Sequence, residues 1–253
     1  MMSLKSLQNA LTLLNHFNSE NSVWGVRDLA RVSGMHPAVV QRMLVTFAAE
    51  GFLVQDPDSK KYLLGLRFFE LGQLTKQRLK LSDFILPIMN RLAQEENETV
   101  FLTILDRDRG ICAEIAESPN PIKFSMNVGT GFPLSAGAHA RVILAWLSSE
   151  KQKEILEAPQ SPFRGKSTAI FKDLLDVREK GWCVSLGEYD SETFGIAIPL
   201  FSSSRNVLGS LGIAGPLSRF EPDKVQQQAE MMLREQRAVE RALQVFQSVQ
   251  KTT

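Results

Sequence analysis

The side chains best placed for chemistry in this sequence are hydrogen-bond donors and cations gathered near its start. His36, Gln41, Arg42 and Thr46 fall on the outward side of a helix that would begin at Pro37, Lys60 and Lys61 follow soon after, and Arg27 precedes them. Glutamine can pair bidentately with adenine and arginine with guanine, each good pair giving roughly 1–3 kcal/mol of discrimination between bases. Lysine and arginine also suit phosphate oxygens, which fix register but carry no sequence information. These residues therefore predict a duplex DNA surface. Gln41 and Arg42 would sit at or near base edges, with phosphate as the alternative for Arg42. Lys60 and Lys61 would hold the backbone or the minor groove, and Arg27 a phosphate. Any one of them taken singly is also compatible with an ordinary solvated surface residue.

The elements that must position these groups can be read from spacing. Ala30 is a small residue suited to a helix crossing, and Gly34, four positions on, admits a positive φ. Val40 and Met43, six and nine residues beyond the glycine, supply an inner face. That set of spacings predicts a helix-turn-helix. The second helix opens with Pro37 in its first turn and stops at Gly51, with Val40, Met43, Leu44 and Phe47 inward. After Gly51 the period becomes strand-like. FLVQ and KYLLG flank DPDS, which predicts a β-hairpin carrying both lysines near its turn. Helix, helix-turn-helix and basic hairpin is the order of a winged helix; the competing reading is an αα-hairpin in a bundle. Ahead of it, Leu4, Leu7, Leu11, Leu14 and Phe17 recur at three- and four-residue steps and predict an amphipathic helix over 4–18. Its stripe is a candidate dimer surface and is also needed for the domain's core.

The charge distribution fits this division. The chain has 253 residues and a net charge of +1, but residues 1–82 hold ten Lys+Arg against six Asp+Glu and the remainder nineteen against twenty-two. No stretch is long and apolar enough for a membrane helix, and no signal peptide is visible, so a cytoplasmic location is expected. Cys112 and Cys183 lie outside any CxxC pair, which predicts two reduced, buried thiols, no metal and no cofactor. Domains are expected at 1–65 and 83–253, joined by a linker helix over 66–82. The second half reads as α+β: a helix over 84–97; strands TVFLTILD, GICAEIA and IKFSM; helices near 136–147, 150–156 and 170–180; strands WCVSL, FGIAIPLF and VLGSLGIAG; and a helix over 222–249.

Taken together, the chain resembles the IclR family of bacterial transcriptional regulators over nearly its whole length. The resemblance rests on SLQNALTLLNHF, VRDLARVSGMHPAVVQRMLVTFAAEGFLVQD, YLLGLRFFELG, ENETVFLTILD, AESPNPIKFSMNVGTGFPLSAGAHA, REKGWCVSLGEYD, GIAIPLF and VLGSLGIAGPLSRF, in that order and spacing. It implies a GAF-like sensor domain that binds a small organic acid or an aromatic metabolite. It also implies homodimers, or tetramers built as pairs of dimers, on palindromic operators; both repressors and activators occur. Four departures from the family pattern stand out. The Ser-Thr pair that usually opens the recognition helix is here Ala38 and Val39, which offer thymine methyl groups an apolar contact. The Thr-Ala-x-Gly-Lys run is here Gly137, Ala138, His139, Ala140 and Arg141. The cysteine before the strand ending in proline is here Gly195, and the acidic cluster is thinned to Ser185, Leu186, Gly187 and Glu188.

The resemblance places the effector among Phe124, Met126, Gly129, Phe132, Leu134, Ala136, Gly137, Glu188, Phe194, Gly195 and Ile196. Glycine at two of these positions would widen the cavity, which predicts a ligand bulkier or more aromatic than a two- or three-carbon acid; the aromatics could equally be plain core. Two rival functions remain. One is an enzyme, for which His139 with Cys112 or Cys183 is the sole nucleophile–base candidate, and which the absence of a GxSxG elbow, HExxH or P-loop disfavours. The other is a winged helix that works without a ligand.

Overall fold

The computed structural model describes residues 4–18, 21–79, 81–159, 161, 164–165 and 167–250. The chain divides into two compact units, Met1–Arg78 and Leu79–Thr253.

The first unit contains α1 (Lys5–Leu14), β1 (Val23–Trp24), α2 (Val26–Ser33), α3 (Pro37–Ala49), β2 (Leu53–Gln55), β3 (Tyr62–Leu64) and nearly all of α4 (Leu66–Leu79). Residue 80, inside the expected linker helix, lies outside the described residues. The three short strands form an antiparallel sheet in the order β1-β3-β2. The two-residue strand β1 was not anticipated. It is fixed by pairing with Tyr62 and Leu63 and by the Trp24 indole, which donates to the carbonyls of His16 (2.9 Å) and Asn21 (3.1 Å).

Leu13, Leu29, Ala30, Val40, Leu44, Leu53 and Tyr62 make the core of this unit. Fully burying one leucine contributes about 2 kcal/mol, so this small set carries much of the unit's stability. The expected stripe on α1 is corrected here. Leu13 (0 % exposed) and Phe17 (9 %), one helical turn apart, dock into the core, whereas Leu4, Leu7 and Leu11 are 70, 56 and 53 % exposed. Of the expected stripe, Leu14 and Phe17 pack on the core while the first three leucines face away from their own unit, and the helix ends at Leu14 rather than at residue 18.

The second unit is a six-stranded antiparallel sheet with helices on both faces. Its strands are β4 (Thr99–Asp106), β5 (Arg109–Ala116), β6 (Gly131–Pro133), β7 (Cys183–Leu186), β8 (Thr193–Phe201) and β9 (Val207–Pro216), in the order β6-β5-β4-β9-β8-β7. Successive side chains on a strand point to opposite faces. Val100, Leu102, Ile196, Ile198, Leu200, Leu211 and Ile213 form one core with α6 (Leu86–Glu96) and α10 (Val225–Gln250), just after the short α5 (Leu81–Phe84). On the other face Ala197 and Cys183 meet α7 (Ala138–Leu144), α8 (Ser149–Leu156) and α9 (Ser167–Lys180). The middle strands are buried on both faces, which is why β8 and β9 read as nearly unbroken apolar runs.

IKFSM is not a strand; this is a second correction. Residues 122–126 are irregular, and the edge strand is Gly131–Pro133 instead. The chain rejoins the β5 edge only where Gly129 N–H donates to the Cys112 carbonyl (2.7 Å) and Cys112 N–H to that of Thr130 (2.9 Å). The preceding segment is tied by Thr99 Oγ1, which donates to the Phe124 carbonyl, and packs Phe124 and Met126 on Phe101, Cys112 and Ala214.

Candidate functional site

In the first unit, α2 ends at Gly34 with φ +67°, where no neighbour limits the space of a side chain. The glycine is therefore needed for its left-handed backbone, which lets the Met35 N–H return to the Ala30 carbonyl at 3.1 Å. The turn delivers the chain to α3, with Pro37 in its first turn and His36 as cap: the Ala38 N–H donates to His36 Nδ1 at 3.3 Å. Val40 and Leu44 are fully buried on the inner side of α3, while Ala38, Gln41, Arg42 and Thr46 are exposed on the outer side and Val39 is half-buried. Arg27, His36, Lys60 and Lys61 are also exposed. The helix thus presents the face the spacing assigned to it.

Two side chains on this face have partners the sequence did not suggest. Gln41 Nε2 donates to the hydroxyl of the buried Tyr62 at 3.3 Å, tying α3 to the wing strand β3 and leaving its amide oxygen as the freer group. Thr46 Oγ1 donates to the Arg42 carbonyl at 2.9 Å, so its hydroxyl proton is engaged within the helix. The wing turn is wound around Asp56, whose Oδ1 accepts from Ser59 N (2.6 Å), Ser59 Oγ (2.7 Å) and Asp58 N (3.2 Å). These bonds, with that from the Ser59 hydroxyl first, hold the Asp56 carboxyl below its usual range. Lys60 sits at the tip with φ +57°, and Gln55 Nε2 donates to its carbonyl at 3.0 Å.

In the second unit, a cavity opens between the sheet and the start of α7. It holds about 540 Å³, counting the part open to solvent. Phe101, Phe124, Phe132 and Tyr189 wall it with edge-to-face contacts at ring separations of 5.4 Å (Phe101–Phe124), 6.2 Å (Phe124–Tyr189) and 6.1 Å (Phe132–Tyr189). At its polar end Gly137, with φ +87°, turns the chain into α7. The Gly137 N–H donates to Glu188 Oε2 (3.1 Å) and the Ala138 N–H to Ser185 Oγ (2.9 Å). Arg141 Nη1 donates to Glu188 Oε1, and Nη2 to Asp173 Oδ2 at 3.1 Å.

His139 lies beneath this turn. Its Nδ1 is 2.9 Å from Ser210 Oγ and 3.3 Å from Thr103 Oγ1, and burial pushes its pKa down to about 4. The imidazole is thus uncharged near neutral pH, and its buried Nε2 has no hydrogen-bond partner among the described residues.

Of the expected effector residues, Phe124, Met126, Phe132, Ala136, Gly137, Glu188, Phe194 and Gly195 border the cavity. Phe194 contributes its main chain, because its ring packs on Phe220 (5.3 Å) on the opposite sheet face. Gly129, Leu134 and Ile196 lie elsewhere. Gly129 is in an exposed turn, Leu134 is wholly buried against α7, and Ile196 alternates away from Gly195 into the core under α10. Sequence reasoning missed Phe101, Thr103, Tyr189, Thr193 and Ala214 as lining residues. The first two were readable: Phe101 and Thr103 occupy the alternate positions of β4 between Val100, Leu102 and Ile104. The irregular loop that carries Tyr189 left no periodic signal. Neither cysteine pairs with His139, whose partners are hydroxyls, and burial pushes the Cys112 and Cys183 thiols up to about 12. At that value a thiol is protonated near neutral pH and is a poor nucleophile.

A winged helix with the second helix of its helix-turn-helix presented outward, followed by an α/β unit with a largely apolar cavity, defines the class of DNA-binding regulators with a sensor domain. Two family models match this chain: the IclR helix-turn-helix domain over residues 6–57 and the bacterial transcriptional regulator IclR C-terminal domain over residues 73–241. The chain belongs to the IclR family of bacterial transcriptional regulators. It is 30 % identical over 226 residues to the HTH-type transcriptional regulator KipR of Bacillus subtilis, covering 87 % of this chain and 90 % of that protein. It is 28 % identical over 235 residues to KdgR of Escherichia coli, covering 91 and 89 %. Among solved structures, an IclR transcriptional regulator from Silicibacter superposes with a TM-score of 0.85 at 26 % identity, covering 94 % of this chain and 96 % of that one. An IclR homologue from Microbacterium hydrocarbonoxydans complexed with 4-hydroxybenzoate shares the fold, with a TM-score of 0.75 at 21 % identity over 94 and 98 % of the two chains. Among the described residues no helix is long and apolar enough to cross a membrane.

Proposed function

We infer that this regulator binds a palindromic operator as a homodimer, or as a pair of dimers, and that a small molecule in the cavity of the second unit adjusts its DNA affinity. The observation that carries the DNA reading is the outer face of α3, where Gln41, Arg42 and Thr46 stand exposed beside a wing bearing Lys60 and Lys61. Such a helix enters the major groove with its N-terminal half at base edges. Arg27 and the wing lysines meet phosphates, and Ala38 and Val39 meet thymine methyl groups. A dimer places two such helices on two half-sites, and the exposed leucines of α1 are the natural contact between copies. The effector acts by binding one arrangement of the dimer more tightly than another, since only differential affinity shifts an equilibrium.

Footprinting on DNA upstream of the protein's own gene and its neighbours tests the reading. A protected palindrome, lost in Arg42→Ala, supports it. Equal affinity of wild type and Arg42→Ala for every fragment would remove α3 from the interface.

A further inference from the structure

We propose that the cavity selects an uncharged, ring-bearing molecule with a hydroxyl or amide donor, and that Glu188 is the group that turns carboxylates away. The proposal rests on the effector reading of the cavity given above and names the chemistry of what it takes.

The walls suit a ring. Four aromatic side chains, Met126 and Ala214 face the space, and a flat apolar body gains most from such surroundings. Selectivity by charge comes from the polar end. An anion entering here would look for main-chain N–H groups and a cation. Of the main-chain N–H groups at the turn into α7, those of Gly137 and Ala138 are already engaged, by Glu188 and Ser185. The nearby guanidinium of Arg141 already answers to two carboxylates, Glu188 and Asp173. The other basic group, His139, is neutral because it is buried. Among the described residues Glu188 is the one charged residue that lines the space.

The chain's own carboxylate therefore occupies the place a ligand carboxylate would need. A second one would be stripped of water, set beside a like charge and left without a counter-ion, which is costly on each count. What the polar end offers instead is the Glu188 oxygens and the Thr193 hydroxyl, whose own proton is engaged by the Asp190 carbonyl at 3.0 Å and which can therefore meet a ligand as an acceptor. A ligand that donates one or two hydrogen bonds and carries no charge satisfies them.

The test is calorimetry on the full-length protein with isosteric pairs: benzamide against benzoate, 4-hydroxybenzamide against 4-hydroxybenzoate, and phenylacetamide against phenylacetate, with benzylamine as the cationic member. Each amide is expected to bind at least about tenfold more tightly than its acid, a difference of about 1.4 kcal/mol. In Glu188→Gln the like charge is removed and Arg141 keeps only Asp173 as an anionic partner, so the acids are expected to gain at least about tenfold while the amides change little. Acids that bind the wild type as tightly as their amides would overturn the charge selection and leave the effector reading standing. Tightest binding by benzylamine would also overturn it, since an uncharged ligand is specified. Binding of no member by either protein would count against the effector reading itself, and the charge selection would fall with it. The wild-type comparison needs no variant, so a Glu188→Gln protein that failed to fold would not spare the proposal.

Discussion

The imidazole of His139 rests on the bare backbone of Gly212. A Cβ at that glycine would stand 2.8 Å from His139 Nε2, 2.8 Å from the Ala197 Cβ and 2.4 Å from the Ile196 carbonyl oxygen. Two of these neighbours belong to a strand inside the sheet and cannot swing aside. Gly212→Ala is therefore expected to destabilise the second unit by about 1–3 kcal/mol, the usual cost of overpacking a tight core. Urea unfolding reads this directly, and a midpoint equal to wild type would show that the strands give way more easily than their packing indicates.

The same histidine makes stability depend on pH. Its folded pKa, about 4, lies below the ordinary value of 6.5. As pH falls below 6.5 the unfolded chain takes up a proton that the folded chain refuses until about 4. The contribution is thus complete above 6.5, lost progressively between 6.5 and 4, and unchanged below. The whole window is worth on the order of 3 kcal/mol. His139→Gln should flatten this part of the curve of unfolding midpoint against pH; an identical slope in variant and wild type would assign the dependence to other groups.

The contacts with DNA should separate by kind. Arg42→Ala is expected to cost about 1–3 kcal/mol and to relax preference at one operator position, as loss of a base contact does. Lys60→Ala and Lys61→Ala should weaken binding evenly across sequences, each lowering the slope of log affinity against log salt by about one. Binding titrations at several salt concentrations on the operator and on point-substituted operators distinguish the two patterns. A salt slope unaltered by either lysine change would take the wing off the phosphates.

The leucines of α1 should also fall into two sets. Leu13→Ala, at a wholly buried site, is expected to cost about 2–5 kcal/mol of folding stability. Leu7→Asp with Leu11→Asp, at exposed sites, should leave the fold intact and move the sedimentation profile from dimer to monomer. A dimer that survives the double change places the contact between copies on another surface.

Much of this architecture was legible because periodicity reports burial. The alternation of Val100, Leu102 and their neighbours on β4, the cap residues of α3 and the glycine at 34 all carried their meaning in the residue types themselves. Legibility failed where contact partners are distant in sequence. Leu4, Leu7 and Leu11 have the spacing of a core stripe, and nothing local distinguishes a face that meets its own unit from one left for another molecule. IKFSM has strand composition, but edge pairing went to Gly131–Pro133, where the Gly129 turn meets β5. Thr103 and Ser210, 36 and 71 residues from His139, become its hydrogen-bond partners only through the order of strands in the sheet. Glu188 was expected in the cavity, yet its grip on the Gly137 N–H was not, since no spacing rule links a loop carboxylate to a helix start 51 residues away.

The ring of bonds that Asp56 makes with Ser59 and Asp58 bears on how fast the protein can find its site. A hairpin tip that is floppy in the free protein must surrender its freedom on the duplex, at about 1–2 kcal/mol for each residue whose backbone is fixed. This tip is already shaped before any encounter, with both lysine main chains fixed. Capture then requires orientation rather than folding, and long-range attraction between its cations and the phosphates can act on a rigid prong.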